Sequence, residues 1–261
     1  MTSGQHFLAG GGEMGERIRA FDWSATPLGP IAQWPQSLRS AVSILLPSKA
    51  QIAMFWGPEL ITIYNDAYRP VFGAKHPGAL GRPIYEAWDE LWRTGLKELF
   101  DGVQQTGEAF WAQDLPFFME RHGYLEETYF DVSYDPVRDE SGRVGGVFCI
   151  VSEKTDRVIG ERRLRTLRDL GRIAGEAQTV PEAFRRVDAV LAGNPHDLPF
   201  ALLYARAADD GATLVAHTGL ADAAAPARGL PGPPELPRAK RPLESRIPDG
   251  SPVMSGSCLV R

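Results

Sequence analysis

Cysteine is nearly absent. The chain carries two in 261 residues, Cys149 and Cys258, too far apart in sequence to frame a disulfide scaffold, so a reducing compartment is the expected setting. Long apolar runs are missing too: the longest, around residues 41–46, is far too short to span a bilayer. The opening stretch MTSGQHFLAGGGEMGER has no positive segment followed by an apolar one, so no signal peptide is read. Excess charge is also lacking: a net −5 gives no reason to expect nucleic acid or an anionic membrane as partner. No GxxxxGK[ST] phosphate loop occurs, and Gly10, Gly11 and Gly12 precede no strand-to-helix turn, which leaves them as a flexible lead-in. An Asp-x-Gly-x-Gly ATP lid, serine-hydrolase motifs and zinc motifs are absent. His196-Asp197-Leu198 superficially matches a phosphoacceptor box, but Pro199 follows directly and breaks any helix. No catalytic residue and no metal ligand is assigned.

What is present is ordinary globular material, 43% hydrophobic and 23% charged, organised around residues 51–73. Ile52, Met54 and Trp56 alternate up to a turn at Gly57-Pro58-Glu59, and Leu60, Thr62 and Tyr64 resume the alternation, which predicts a hairpin. Asn65 or Asp66 then caps a short aromatic helix carrying Tyr68 and Phe72 that Gly73 stops. Ahead of this lies a helical cap in which Leu38, Val42, Leu45 and Leu46 form an apolar stripe, and Trp23 and Trp34 read as residues that pin it rather than as a ligand cage. Downstream, Trp88, Leu91 and Trp92 share one helical face that Leu96, Leu99 and Val103 continue. Three strands follow over 108–119, 124–136 and 144–152. Phe130, Val132 and Tyr134 alternate with Asp131, Ser133 and Asp135, and the last run is apolar enough to be central.

Two strands, short helices, then three antiparallel strands is a PAS layout, and the motifs make the likeness specific. Trp56-Gly57-Pro58, Tyr64-Asn65-Asp66-Ala67-Tyr68, Lys75-His76-Pro77, Ala79-Leu80-Gly81-Arg82-Pro83 and Ser133-Tyr134-Asp135-Pro136-Val137-Arg138-Asp139 resemble the amino-terminal PAS region of a group of bacterial sensor histidine kinases, as does Trp34-Pro35-Gln36-Ser37-Leu38-Arg39 before them. The resemblance covers roughly residues 12–169. It implies an α+β fold: a five-stranded antiparallel sheet with short helices on one face, then a helical linker. It also implies that Glu153-Lys154-Thr155 stands where such domains carry an acid-x-Thr step, the acid pairing with a base in the domain body. Glu153 and Thr155 are therefore the signal-relay residues; the usual acid is Asp, so Glu153 departs from the pattern by one methylene.

The exit segment 157–177 reads as a helix with Leu164, Leu167, Gly171 and Ala174 at a and d spacing, or Leu167, Leu170, Ala174 and Ala177 in a second register, too short for a firm coiled coil. Its six arginines (157, 162, 163, 165, 168 and 172) lack stacking aromatics and read as a solvated face, not a nucleic-acid surface. From Thr179 a helix, a strand, the turn Asp209-Asp210-Gly211 and a second strand resemble the start of a GAF domain. The organisation expected is a helical cap over 1–47, a PAS domain over 48–156, a signalling helix over 157–177 and a partial GAF-like α/β unit over 178–221. Residues 222–261, rich in proline, are expected to be a disordered or truncated tail.

Such cores enclose a ligand between sheet and helices, and the candidate pocket residues are Trp56, Tyr64, Tyr68, Phe72, Trp88, Trp92, Phe110, Phe130 and Phe148. The sequence requires no cofactor. Flavin photochemistry lacks its Asn-Cys-Arg-Phe-Leu stretch, and haem would need an axial ligand such as His76 or His122, each in a loop or turn. The expected function is a cytoplasmic, homodimeric sensory input module of a two-component histidine kinase. It would relay a small-molecule or partner state to a kinase core and its response regulator. The alternatives are a non-sensing interaction scaffold and an input module for a phosphatase or cyclase.

Overall fold

The computed structural model describes residues 6–206 and 211–220 of a chain that divides into two units, 1–158 and 159–261. In the first unit, α1 (Gly12–Ala20) and α2 (Gln36–Leu45) form the cap. Leu38, Val42 and Leu45 recur at helical spacing along α2 and are fully buried. Trp23 and Trp34 meet edge to face at 5.0 Å, and each indole N–H donates to a carbonyl, of Ile18 and of Gly29 respectively, so both rings serve the packing of the cap.

Gly10, Gly11 and Gly12 are not a mere lead-in. All three take positive φ, and a Cβ on Gly12 would lie 2.0 Å from Asp66 Oδ2. This close approach lets Asp66 Oδ1 accept the Met14 N–H at 2.9 Å, capping a helix that has no side-chain cap of its own.

Five strands follow: β1 (Gln51–Trp56), β2 (Ile61–Tyr64), β3 (Phe110–Glu120), β4 (Leu125–Arg138) and β5 (Val144–Glu153). They form one antiparallel sheet in the order β2-β1-β5-β4-β3, with the last strand in the middle as its apolar run predicts. Between β2 and β3 lie α3 (Arg69–Phe72), α4 (Ile84–Ala87), α5 (Asp89–Leu91) and α6 (Lys97–Thr106). The apolar face predicted to run on from Trp88 to Val103 is interrupted. Thr94 and Gly95 leave helical geometry, Gly95 at φ 123°, while Thr94 Oγ1 donates back to the Glu90 and Leu91 carbonyls that the break exposes.

Asn65 knots this unit together. Its Oδ1 accepts from Tyr68 N at 3.0 Å and Ile52 N at 3.2 Å, and its Nδ2 donates to the carbonyls of Leu45, Ser48 and Ala50 at 3.2, 3.1 and 2.8 Å. One fully buried amide thus joins the end of α2, the approach to β1 and the turn into α3. The sequence offered Asn65 or Asp66 as a cap; the structure uses both, for different helices.

In the second unit, α7 (Thr155–Glu176), which starts in the first, is followed by α8 (Val180–Ala192) and the antiparallel pair β6 (Ala201–Arg206) and β7 (Ala212–Thr218). Thr179 caps α8 with Pro181 in its first turn. His196 and Asp197 sit in a turn, not a phosphoacceptor helix. Asp197 accepts from Arg162 Nε at 2.8 Å, Arg163 Nε at 3.1 Å and Asn194 Nδ2 at 3.0 Å, which straps this turn to α7. Asp209, Asp210 and the 222–261 stretch lie outside the described residues. Among the described residues no helix is long and apolar enough to cross a membrane.

The strap predicts an acid-sensitive step. Hydrogen bonds from Arg162 hold the Asp197 carboxyl well below its ordinary 3.8 despite burial, with Asn194 and Arg163 adding to the effect. A depressed carboxylate stabilises the fold fully above its unfolded value and loses that contribution as pH falls toward the folded one. Amide exchange of α8 should therefore be slower in the parent than in Asp197→Asn at pH 6, and the difference should shrink below about pH 4. No difference at pH 6 would mean the strap contributes nothing, and a difference that stays constant down to pH 2.5 would mean that the Asp197 charge is not what holds it.

Candidate functional site

The inner face of the sheet and the helices α3–α6 enclose an apolar cavity of about 30 Å³. That is room for one or two waters, against roughly 300–1,000 Å³ for small-molecule sites. The sheet lines it with Phe55, Phe117, Phe130, Val132, Tyr134 and Cys149, and the helical side with Tyr68, Trp88 and Phe100 among others. Burial pushes the Cys149 thiol up to about 12, against a hydrogen bond from Tyr68 that lowers it, so it is protonated and unreactive at neutral pH. Burial likewise raises both the Tyr68 and Tyr134 phenols well above the ordinary range, with the neighbouring Cys149 adding to the effect.

The nine pocket candidates distribute over three places. Tyr68, Trp88 and Phe130 line the cavity. Phe72, Trp92 and Phe110 stand one ring behind it: Phe72 stacks on Trp88 at 5.3 Å, Trp92 tilts against Phe100, and Phe110 stacks on Tyr134. Tyr64 turns away and bonds its hydroxyl to His76 Nδ1 at 2.8 Å, while His76 Nε2 meets Glu13 Oε1 at 3.2 Å. Trp56 and Phe148 do not face the cavity. Phe148 pairs with Met54 and Trp56 with Gly146, and strand alternation puts all of them on the outer side, opposite Phe55 and Cys149. There α2 packs on β1, burying Ile52, Met54 and Trp56. Neither His76 nor His122 lines the cavity.

Phe55, Phe100, Phe117, Tyr134 and Cys149 line the cavity but escaped the sequence reading. β1 is buried on both sides, so its alternation does not tell inside from outside. The clue lay in β4, where Tyr134 belongs to the buried set. Its register to Cys149, and that of Cys149 to Ala53, mark Ala53 and Phe55 as inward.

A second cluster stands where the sheet hands over to α7. Arg121, at the tip of the β3–β4 hairpin and 8% exposed, grips Glu153 with both ends of its guanidinium, Nη1 to Oε2 at 2.9 Å and Nη2 to Oε1 at 3.1 Å. Its Nη2 also reaches Glu126 Oε2 at 3.0 Å. Thr155, the first residue of α7, donates to Glu153 Oε1 at 2.9 Å and accepts the Tyr129 N–H at 3.1 Å. Glu153 thus finds its base across 32 residues despite the extra methylene. Burial opposes ionisation of Glu126, but hydrogen bonds from His122 and Arg121 outweigh it and hold that carboxyl below its ordinary value. Chemically the cluster is a charged clamp between hairpin tip, central strand and exit helix.

A five-stranded antiparallel sheet in this order, with short helices over one face and a nearly filled apolar core, is an α+β PAS fold. Residues 55–159 match the family model described as PAS fold, and this stretch is a PAS domain. Among solved structures the chain is similar to the sensory box sensor histidine kinase from Vibrio cholerae, at 17% identity over 41% of this chain and 82% of that one, with a TM-score of 0.31. It is also similar to the PAS domain of a protein from Colwellia psychrerythraea, at 11% identity over 46% of this chain and 98% of that one, TM-score 0.36. A third likeness is to the PAS domain of BvgS from Bordetella pertussis, at 22% identity over 48% of this chain and 91% of that one, TM-score 0.35.

Proposed function

We propose that the chain is an input module of a bacterial two-component histidine kinase. In this reading it works as a homodimer in the cytoplasm: a cap over 1–47, a PAS domain over 48–156, a signalling helix over 157–177 and a partial GAF-like unit over 178–221. The observation that carries it is the Arg121–Glu153–Thr155 clamp, which fastens the central strand to the first turn of α7. A change in the core or hairpin that favours one of two clamp geometries biases the exit helix, and a stimulus moves that balance only by its difference in affinity for the two states. A kinase core and its response regulator then read the helix. Glu153→Ala removes the clamp's acid and should uncouple input from output in the full-length kinase, leaving autophosphorylation fixed at one level whatever the stimulus. Stimulus-dependent autophosphorylation that survives the substitution would sink the relay role.

One observation favours a second reading, a scaffold that senses nothing: the core cavity holds only about 30 Å³. Native mass spectrometry with an absorption spectrum of purified protein separates the two. A co-purifying small molecule or a visible band supports sensing by the core, and an empty dimer supports the scaffold.

A further inference from the structure

We propose that α1 is a second input to the exit helix, coupled to the Arg121–Glu153 clamp through residues 73–76; the proposal rests on the clamp being the relay described above. The path is continuous within the first unit. Glu13, on the first turn of α1, is where three cationic or protonatable groups converge: Arg17 Nε at 2.8 Å, Arg69 Nη1 at 2.8 Å and His76 Nε2 at 3.2 Å. The hydrogen bonds from Arg17 and then His76 hold its carboxyl below the ordinary value. Glu13 is therefore the point at which α1 grips the loop carrying His76.

That loop is fixed to the hairpin tip by two independent straps. Its backbone bonds directly to the clamp arginine, Ala74 N–H donating to the Arg121 carbonyl at 2.8 Å. Gly73, at φ 55°, lies so close that a Cβ there would stand 2.7 Å from the same carbonyl oxygen, so no side chain cushions the contact. The second strap is Lys75, which reaches Glu90 Oε1 at 2.6 Å over the Trp88 ring, and that same oxygen accepts the Glu120 N–H at 3.0 Å. Beyond the straps the tip residues His122, Gly123 and Tyr124 are exposed, and only His122 turns back, to Glu126 at 2.8 Å, so the loop shares with the clamp the task of steadying this end of the hairpin. From Arg121 the path runs through Glu153 to Thr155 and α7. A movement of α1 that pulls Glu13 off His76 loosens the loop, then the tip, then the clamp. By reciprocity, a stimulus that opens the clamp loosens α1 to the same degree.

Hydrogen exchange on the full chain tests this without any kinase readout. Glu13→Ala removes the grip while Met14 and Ile18, both fully buried, keep α1 docked. Exchange at the hairpin tip and at the first turn of α7, where Val158 N–H bonds Lys154 O, should rise about fivefold or more. Lys75→Met cuts one strap without touching α1 and should by itself speed exchange at the same α7 amides. In that background Glu13→Ala should add less than it does alone, because both act through one path. A rise confined to α1 and residues 73–76, or effects of the two substitutions on α7 that simply multiply, would overturn the coupling. If thermal melts show that Glu13→Ala unfolds the cap, Lys75→Met decides: faster α7 exchange supports the path and unchanged exchange refutes it. Failure of the relay reading shows differently, as stimulus-dependent kinase output in Glu153→Ala.

Discussion

Replacing Asn65 with Ala should cost about 4 kcal/mol or more, lowering the melting temperature by on the order of 10–20 °C. The side chain makes five hydrogen bonds and is fully buried. Its removal strands the Ile52 N–H and the Ser48 and Ala50 carbonyls, whereas the Tyr68 N–H keeps the Asn65 carbonyl at 3.1 Å and the Leu45 carbonyl keeps the Ser48 N–H at 3.2 Å. Each buried orphan costs about 1–3 kcal/mol before relaxation or entering water recovers part. Set against a total stability of about 5–15 kcal/mol, this one amide is a large share. Asn65→Asp is the sharper experiment. The carboxylate keeps the acceptor that serves Ile52 and Tyr68 but turns its second oxygen toward the carbonyls of Leu45, Ser48 and Ala50. Ionisation is then disfavoured in the fold, so the folded pKa of the new Asp lies above its unfolded value near 3.9. The sign follows: the penalty is smallest below about pH 4 and grows as pH rises. Denaturant melts of the variant should show recovery on acidification that Asn65→Ala lacks. A loss below 1 kcal/mol in Asn65→Ala would mean that the knot is replaceable by water.

Arg121→Ala should be nearly as damaging, by about 3 kcal/mol, the low end for breaking a buried ion pair, because Glu153 retains 26% side-chain exposure. The guanidinium is the cation between Glu126 and Glu153; without it the two carboxylates face each other with only His122 and Thr155 to compensate. Arg121→Lys keeps the charge but loses the fork that spans both oxygens of Glu153, and should fall between parent and Ala. Equilibrium unfolding checks the energies. Amide exchange of the first turn of α7 separates a clamp from an ordinary ion pair, since loss of the clamp should speed exchange there more than at α6. Equal effects at the two helices would mean that Arg121 stabilises the whole domain without holding the exit helix.

Much of this was legible from residues alone. The hairpin at 51–64, the alternation of Phe130, Val132 and Tyr134, and the apolar run of β5 are period-two signals that a half-buried or central strand must produce. They gave the succession of strands along the chain, the central place of the last one and, with the motifs around Trp56, Asn65 and Asp135, the PAS resemblance. The position of Glu153 before Thr155 pointed to a base in the domain body without saying which one. The core candidates were less legible: Tyr68, Trp88 and Phe130 are at the cavity, but Trp56 and Phe148 are on the far side of the same sheet. A strand buried on both faces has two apolar sets, and only its neighbours distinguish them.

The sequence by itself determined the elements and their order, because helix caps, turn residues and apolar periodicity act over a few residues and need no distant partner. Only the tertiary structure decided which groups meet: Arg121 with Glu153 across 32 residues, Glu13 with His76 across 63, and Asp66 with the start of α1 across 52. The same holds for how far the core fills itself, to a residual cavity of about 30 Å³. The reason is physical: a salt bridge or a buried amide leaves no periodic trace in the chain, since its geometry is set by how whole elements pack rather than by residues next to it in sequence.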